Sequence, residues 1–189
     1  MIHTSPTLVI AGSVRERRLC LQIAEWVAGI GRQAIGGGME VVDLRDWRLP
    51  MDDEPGVPAM GGYAQDHTRA WSAKVAAAGA FVFVTPQYNW GYPAALKNAL
   101  DHLFGEWAGK PALIVAYGGH GGDKCAEQLR QVLTALHMRP VAESVGLTLP
   151  RALIEANAGE IRPDEQFDDQ RPRLEAAFRE LAASGTASR

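Results

Sequence analysis

From Thr7 to Leu149 the chain alternates short apolar runs with stripes of helical spacing, and that alternation leaves few folds open. The clearest run, Ala80-Phe-Val-Phe-Val-Thr85, has no polar residue between Phe81 and Val84, so a strand built from it must be covered on both faces. Thr7-Leu-Val-Ile-Ala11 reads the same way and ends in Gly12. After it, Leu19, Ile23, Trp26, Val27 and Ile30 fall on one helical face, and Gly36-Gly-Gly38 closes the unit. Met39 to Leu44 reads as a second strand, Pro50 to Gly62 as a loop, and Ala64 to Ala78 as a second helix with His67, Trp71, Val75 and Ala78 on one side. Pro93 opens a third helix that runs on to Phe104. Pro111 to Tyr117 gives a fourth strand, and Cys125, Leu129, Val132, Leu133 and Leu136 stripe a fourth helix. Val141 to Leu149 is the fifth strand expected, followed by a polar, irregular stretch from Glu155 to Arg173 and a last helix from about Leu174 to Ala183.

Strands separated by helices of this length imply right-handed parallel crossovers. The expected fold is therefore a three-layer α/β/α sandwich around a five-stranded parallel sheet of order 2-1-3-4-5, with residues 1–189 forming one domain. Ligands of such sheets lie beyond the carboxyl ends of the strands. Chemistry is therefore expected in the loops after strands one, three and four.

Composition narrows the function classes. A net charge of −3 gives no general attraction for nucleic acid or anionic membrane. Cys20 and Cys125 are too few for a disulfide framework and lie on apolar helical stripes, so both read as buried thiols in a reducing compartment. The longest apolar or small stretch, Val75 to Val84, is about half a membrane span, and the N-terminus lacks a signal core; the expected compartment is the cytoplasm.

The first loop, Gly12-Ser-Val-Arg-Glu-Arg-Arg18, places three arginines where a helix N-terminus is already partly positive. An anion removes that conflict, and Ser13, Arg15 and Arg18 with the free backbone N–H groups make a phosphate cradle; a solvated basic turn is the plainer reading. The second loop, Thr85-Pro-Gln-Tyr-Asn-Trp-Gly-Tyr-Pro93, sets aromatic faces beside carboxamides, which suits a planar, polar-edged heterocycle. Gln87, Tyr88 and Asn89 carry that reading, whereas Trp90 and Tyr92 serve equally well to pin the turn or fill a subunit interface. The third, Tyr117-Gly-Gly-His-Gly-Gly122, lets the backbone approach a ligand closely, with His120 alone between glycines. Each loop singly is a weak signal, but all three fall on one sheet edge.

Several familiar machineries are missing. Gly29-Ile-Gly-Arg-Gln-Ala34 matches a dinucleotide fingerprint by letter but follows a helix instead of a strand. There is no phosphate-binding G-x-x-x-x-G-K-S/T loop and no G-x-S-x-G elbow, and His3, His67, His102, His120 and His137 show no paired metal-ligand spacing, so no metal is expected. Asp101 and His102 are adjacent on a helix and face different ways. A phosphate cradle and a heterocycle clamp without nucleophile, metal or acid–base dyad point to chemistry carried by a flavin.

Gly12-Ser-Val-Arg15, Pro86-Gln-Tyr-Asn89 with Gly91-Tyr-Pro-Ala-Ala-Leu-Lys-Asn98, and Tyr117-Gly-Gly-His-Gly121 together resemble the motifs of the NADPH-dependent FMN reductase family, the flavodoxin-like branch that includes quinone, azo and chromate reductases. The resemblance runs from about Leu8 to Leu149. It implies FMN as cofactor, with Ser13, Arg15 and Arg18 at the phosphate. Pro86, Gln87, Tyr88 and Asn89 would lie along the ribityl chain and ring edge, and the amides of Gly118, Gly119, His120 and Gly121, after Tyr117, at the pyrimidine end. Many members carry Glu where this chain has Gln87. The resemblance further implies hydride transfer from NADPH or NADH through FMN to quinones, azo compounds, chromate or flavin, with no obligatory side-chain base. It also implies a homodimer or homotetramer, for whose boundary Trp90, Trp107 and the third and fourth helices are the candidates. A flavodoxin-type electron carrier and a flavin-dependent redox sensor or interaction module are the alternatives of other classes.

Overall fold

A computed structural model describes residues 5–51 and 53–186; His3 lies outside them. The strands are β1 (Thr7–Ala11), β2 (Met39–Asp43), β3 (Ala80–Pro86), β4 (Pro111–Gly118), β5 (Arg139–Pro140) and β6 (Val145–Thr148). The helices are α1 (Cys20–Ile35), α2 (Asp66–Ala76), α3 (Ala94–Asp101), α4 (Asp123–Ala135), α5 (Arg151–Ala156), α6 (Pro163–Gln166) and α7 (Arg171–Thr186). All strand pairs are parallel and the order is β2-β1-β3-β4-β5, the order expected from the alternation of elements.

Because successive strand residues point to opposite faces, the apolar runs build two cores at once. Leu8, Ile10, Phe81 and Phe83 face α2, α3 and α4, where Trp71, Leu96, Leu100 and Leu129 meet them. Val9, Ala11, Val82 and Val84 face α1 and α7, where Ile23, Val27, Leu174 and Phe178 close the other side. The dinucleotide-like Gly29 to Ala34 lies inside α1.

Three expectations need correction. The fifth strand is not continuous from Val141 to Leu149: β5 pairs with the start of β4, and β6 pairs with its end. The strand lapses after Pro140, whose nitrogen is turned away from β4; Val141 N–H still donates to the Ala112 carbonyl (2.8 Å), and side chains then take over the next backbone groups. Arg130 donates to the Val141 carbonyl (2.7 Å) and to Ser144 Oγ (3.1 Å), while Glu180 accepts from Ala142 N–H (2.7 Å). Second, the segment from Glu155 to Arg173 is partly ordered into α6 and a 3-10 turn, anchored by buried Phe167 against Trp26 at 6.0 Å. Third, Trp107 is no boundary residue. It is fully buried, its ring centroid lies 5.0 Å from that of Phe81, and its Nε1–H donates to the Leu100 carbonyl.

Candidate functional site

The loops after β1, β3 and β4 converge at the carboxyl edge of the sheet around a cavity of about 370 Å³. That volume lies within the range of small-molecule sites. Arg15, Arg17, Arg18 and Leu19 from the first loop line it together with Pro86, Gln87 and Tyr88 from the second and Tyr117, Gly118 and Gly119 from the third. Of the remaining residues expected at a site, Ser13, Asn89, His120 and Gly121 do not line this cavity.

The first loop is held by its own polar groups. Ser13 is fully buried, and its Oγ lies 2.8 Å from the Tyr88 hydroxyl, which ties the first loop to the second. At Gly12 a Cβ would lie 3.1 Å from Leu96 Cδ2 and 3.2 Å from the Val84 carbonyl, so any side chain would crowd the exit from β1 against β3 and α3. The Arg15 guanidinium sits 3.6 Å from the Tyr88 ring centroid, a cation–π contact. Arg18 forms an ion pair with Asp43, at the end of β2, and both side chains are 9% exposed. Its Nε–H is buried without a partner. α1, with no side-chain cap and no acidic residue in its first turn, starts beside these cations. An uncapped helix start next to an orphaned guanidinium N–H is a site short of one anion.

The second loop turns sharply. Tyr88 and Gly91 exchange backbone hydrogen bonds (2.8 and 2.9 Å), and Asn89 and Trp90 between them have φ of 50° and 70°. Trp90 at the tip is 67% exposed. Gln87 points the other way: its backbone N–H donates to the Tyr117 carbonyl, and its Oε1 accepts from Cys125 N–H in the first turn of α4. In the third loop, Gly122 has φ of 79°, and a Cβ there would meet Ala116 Cβ at 2.8 Å, so the turn into α4 requires glycine twice over. Gly121 N–H is spent on the Gly118 carbonyl.

Neither cysteine supplies a nucleophile. Burial pushes the Cys20 thiol up to about 11 and the Cys125 thiol up to about 12, so both stay protonated at neutral pH. Burial likewise raises the phenol of Tyr117 well above its ordinary value.

Leu149, Leu153, Ile154, Asn157 and Gly159 also line the cavity, and sequence reasoning missed them all. They follow β6 and form α5 and its exit, held to α1 by Gln22, whose Nε2 donates to the Gly159 carbonyl (2.9 Å) and whose Oε1 accepts from Ile161 N–H (2.7 Å). The apolar pair Leu153-Ile154, just before the polar stretch that begins at Glu155, was the available signal.

A planar, phosphate-bearing ligand suits a cavity lined by arginines, a tyrosine, glycine backbone and an apolar pair. Comparison with known proteins agrees. The sequence model of the NADPH-dependent FMN reductase family matches residues 6–149. A NAD(P)H-dependent FMN reductase of Schizosaccharomyces pombe is 53% identical over 181 residues, covering 95% of this chain and 90% of the relative. A quinone reductase of Escherichia coli is 34% identical over 102 residues, covering 51% of this chain and 50% of the relative. Among solved structures, the flavoenzyme NAD(P)H:(acceptor) oxidoreductase FerB of Paracoccus denitrificans superposes with a TM-score of 0.68 at 19% identity over 96% of this chain and 99% of its own, a likeness of fold alone. The chain belongs to the NADPH-dependent FMN reductase family.

Proposed function

We propose that this member of the NADPH-dependent FMN reductase family holds FMN in the cavity at the carboxyl edge of its sheet and works as an NAD(P)H-dependent oxidoreductase on quinones or similar acceptors. The observation that carries the reading is Arg18, a cavity-lining cation whose Nε–H is buried without a partner beside the uncapped start of α1. When bound, FMN supplies acceptance of a hydride from the nicotinamide and its delivery as two electrons to the acceptor.

The chain's part is to bind, orient and exclude water. Asp43 holds Arg18 so that its free N–H is in place before a phosphate arrives. Arg15 joins it, and Ser13 fixes the Tyr88 hydroxyl and hence the plane of the Tyr88 ring. With Gln87 Oε1 committed to α4, the Gln87 Nε2–H groups remain for a polar ring edge or ribityl hydroxyl, and the Gly118 and Gly119 backbone can approach the ring closely. Leu153 and Ile154 line the cavity with apolar surface. No side-chain acid or base is required, since proximity and ring orientation supply most of the catalysis in hydride transfer.

The acceptor class follows from the family. Exposed Trp90 supports a homodimer or homotetramer meeting at the second loop, and a cytoplasmic setting fits two reduced, buried cysteines. No helix among the described residues is long and apolar enough to cross a membrane.

Titration with FMN and with riboflavin, followed by flavin fluorescence, tests the reading. One FMN binds per chain, and riboflavin binds at least about tenfold more weakly because it forgoes charge-assisted bonds worth about 1.5–3 kcal/mol each. Equal affinities, or no binding, would remove the arginines as a phosphate site.

A further inference from the structure

The long connection between β2 and α2, described over residues 44–51 and 53–65, brings Asp53 against two histidines that are far apart in sequence. His67 stands in the first turn of α2 and His102 at the carboxyl end of α3. One ligand atom from each of the three side chains lies within 4.8 Å of the others. The Asp53 carboxylate oxygens are 3.0 and 3.1 Å from His67 Nε2, and Asp53 Oδ1 is 3.8 Å from His102 Nε2.

His102 makes the cluster more than an exposed ion pair. Its side chain is 4% exposed. Its Nδ1 lies 2.8 Å from the Asn98 carbonyl, which can only accept, so Nδ1 carries the hydrogen and Nε2 carries the lone pair. That buried Nε2 has no hydrogen-bond partner, and the group it faces, Asp53, is a carboxylate. Two acceptors aimed at one another across 3.8 Å leave room for a cation. A histidine whose Nδ1–H is anchored on a backbone carbonyl and whose Nε2 is free has the orientation of a metal ligand with its outer partner already in place.

We propose that Asp53, His67 and His102 form a site for one divalent transition-metal ion of the zinc type. Zinc bonds of about 2.0–2.1 Å at tetrahedral angles set ligand atoms about 3.3–3.4 Å apart, between the separations Asp53 makes with the two rings. Two imidazoles and one carboxylate suit zinc over the harder magnesium and calcium ions. His67 joins by carrying its hydrogen on Nδ1, so that the ion takes the place of the Nε2 proton now shared with Asp53. The fourth position opens on a cavity of about 170 Å³ lined by Glu54, Asn98 and Asp101, which has room for water. Glu54 is occupied by the N–H groups of Ala64 and Gln65, and Asp101 by Lys97, so water completes the shell. The ion would clip the 44–65 connection to α2 and α3, on residues that do not line the arginine cavity, and the proposal does not depend on the flavin reading.

The test uses the full chain, stripped of metal with chelator and dialysed. Co2+ is titrated while its visible ligand-field bands are followed, and Zn2+ is then added in competition. The expected result is one Co2+ per chain in a low-symmetry site, displaced by one equivalent of Zn2+. Removing a direct ligand costs at least the roughly 10–100-fold that loss of an outer-shell partner costs. Asp53→Asn, His67→Gln and His102→Gln should therefore each weaken Zn2+ at least about tenfold, while His120→Gln and His137→Gln leave it unchanged. Should His102→Gln fail to fold, Asp53→Asn and His67→Gln, at partly exposed positions, carry the same comparison. Absence of stoichiometric binding would overturn the site and leave a proton as the bridging cation. Binding undiminished in Asp53→Asn and His67→Gln would overturn it in favour of surface histidines.

Discussion

Ser13 and Tyr88 are 75 residues apart, and one hydrogen bond between them aligns two of the three loops. In Ser13→Ala the Tyr88 hydroxyl loses its partner in a partly buried setting, which costs about 1–3 kcal/mol. Urea unfolding should show a loss of that size, with FMN affinity falling too as the Tyr88 ring is freed; an unchanged midpoint would mean the bond holds nothing in place. Burial of Cys20 also makes stability depend on pH. Its thiol ionises near 11 in the folded chain and near the ordinary 9.0 when unfolded, so the folded state holds this proton more tightly. The resulting stability is complete below pH 9 and is lost as the pH rises from 9 through 11. Urea midpoints should fall across that window, and fall less steeply in Cys20→Ala; equal slopes would contradict the assignment.

Among the elements, the fifth position of the sheet is the weakest joint, since Pro140 ends β5 and three side-chain bonds bridge to β6. Arg130→Met removes two of these and leaves the Val141 carbonyl without its partner, at a cost of about 1–3 kcal/mol. Amide exchange should quicken from Val141 to Val145 before it quickens in β3; uniform quickening would show that the joint does not open by itself. This joint also marks where sequence reading stopped. β1, β3 and β4 were legible because runs such as Phe81 to Val84 are apolar on both alternating sets, and the third loop was legible as a turn, where Gly121 and Gly122 do take a positive φ. The lapse after Pro140 depends on Arg130 and Glu180 reaching in from α4 and α7, and no local pattern announces such reach. The share of residues 149–159 in the cavity went unread because it rests on a few apolar side chains and on Gln22, and the stretch from Glu155 onward looked irregular. Asp53, His67 and His102 lack any ligand spacing because three separate elements bring them together.

In the whole molecule, under the proposed function, one sheet edge does two things: its arginines take a phosphate, and its tyrosine and glycine backbone orient a ring for hydride transfer. Arg18 was expected at the phosphate from its place in the first loop; its pairing with Asp43 supports the same role, as a cation fixed in advance, in place of a mobile surface one. The buried pair has a consequence for the fold as well, because removing one partner strands a charge. The most direct test of the central claim is the anaerobic absorbance spectrum of the FMN-loaded protein during addition of NADPH, followed by a quinone. The account predicts that the flavin bands bleach with one equivalent of NADPH and return with one equivalent of quinone. Flavin that stays bound but is not bleached by NADPH or NADH would contradict it, and would make the cavity that of an electron carrier or sensor instead of a reductase.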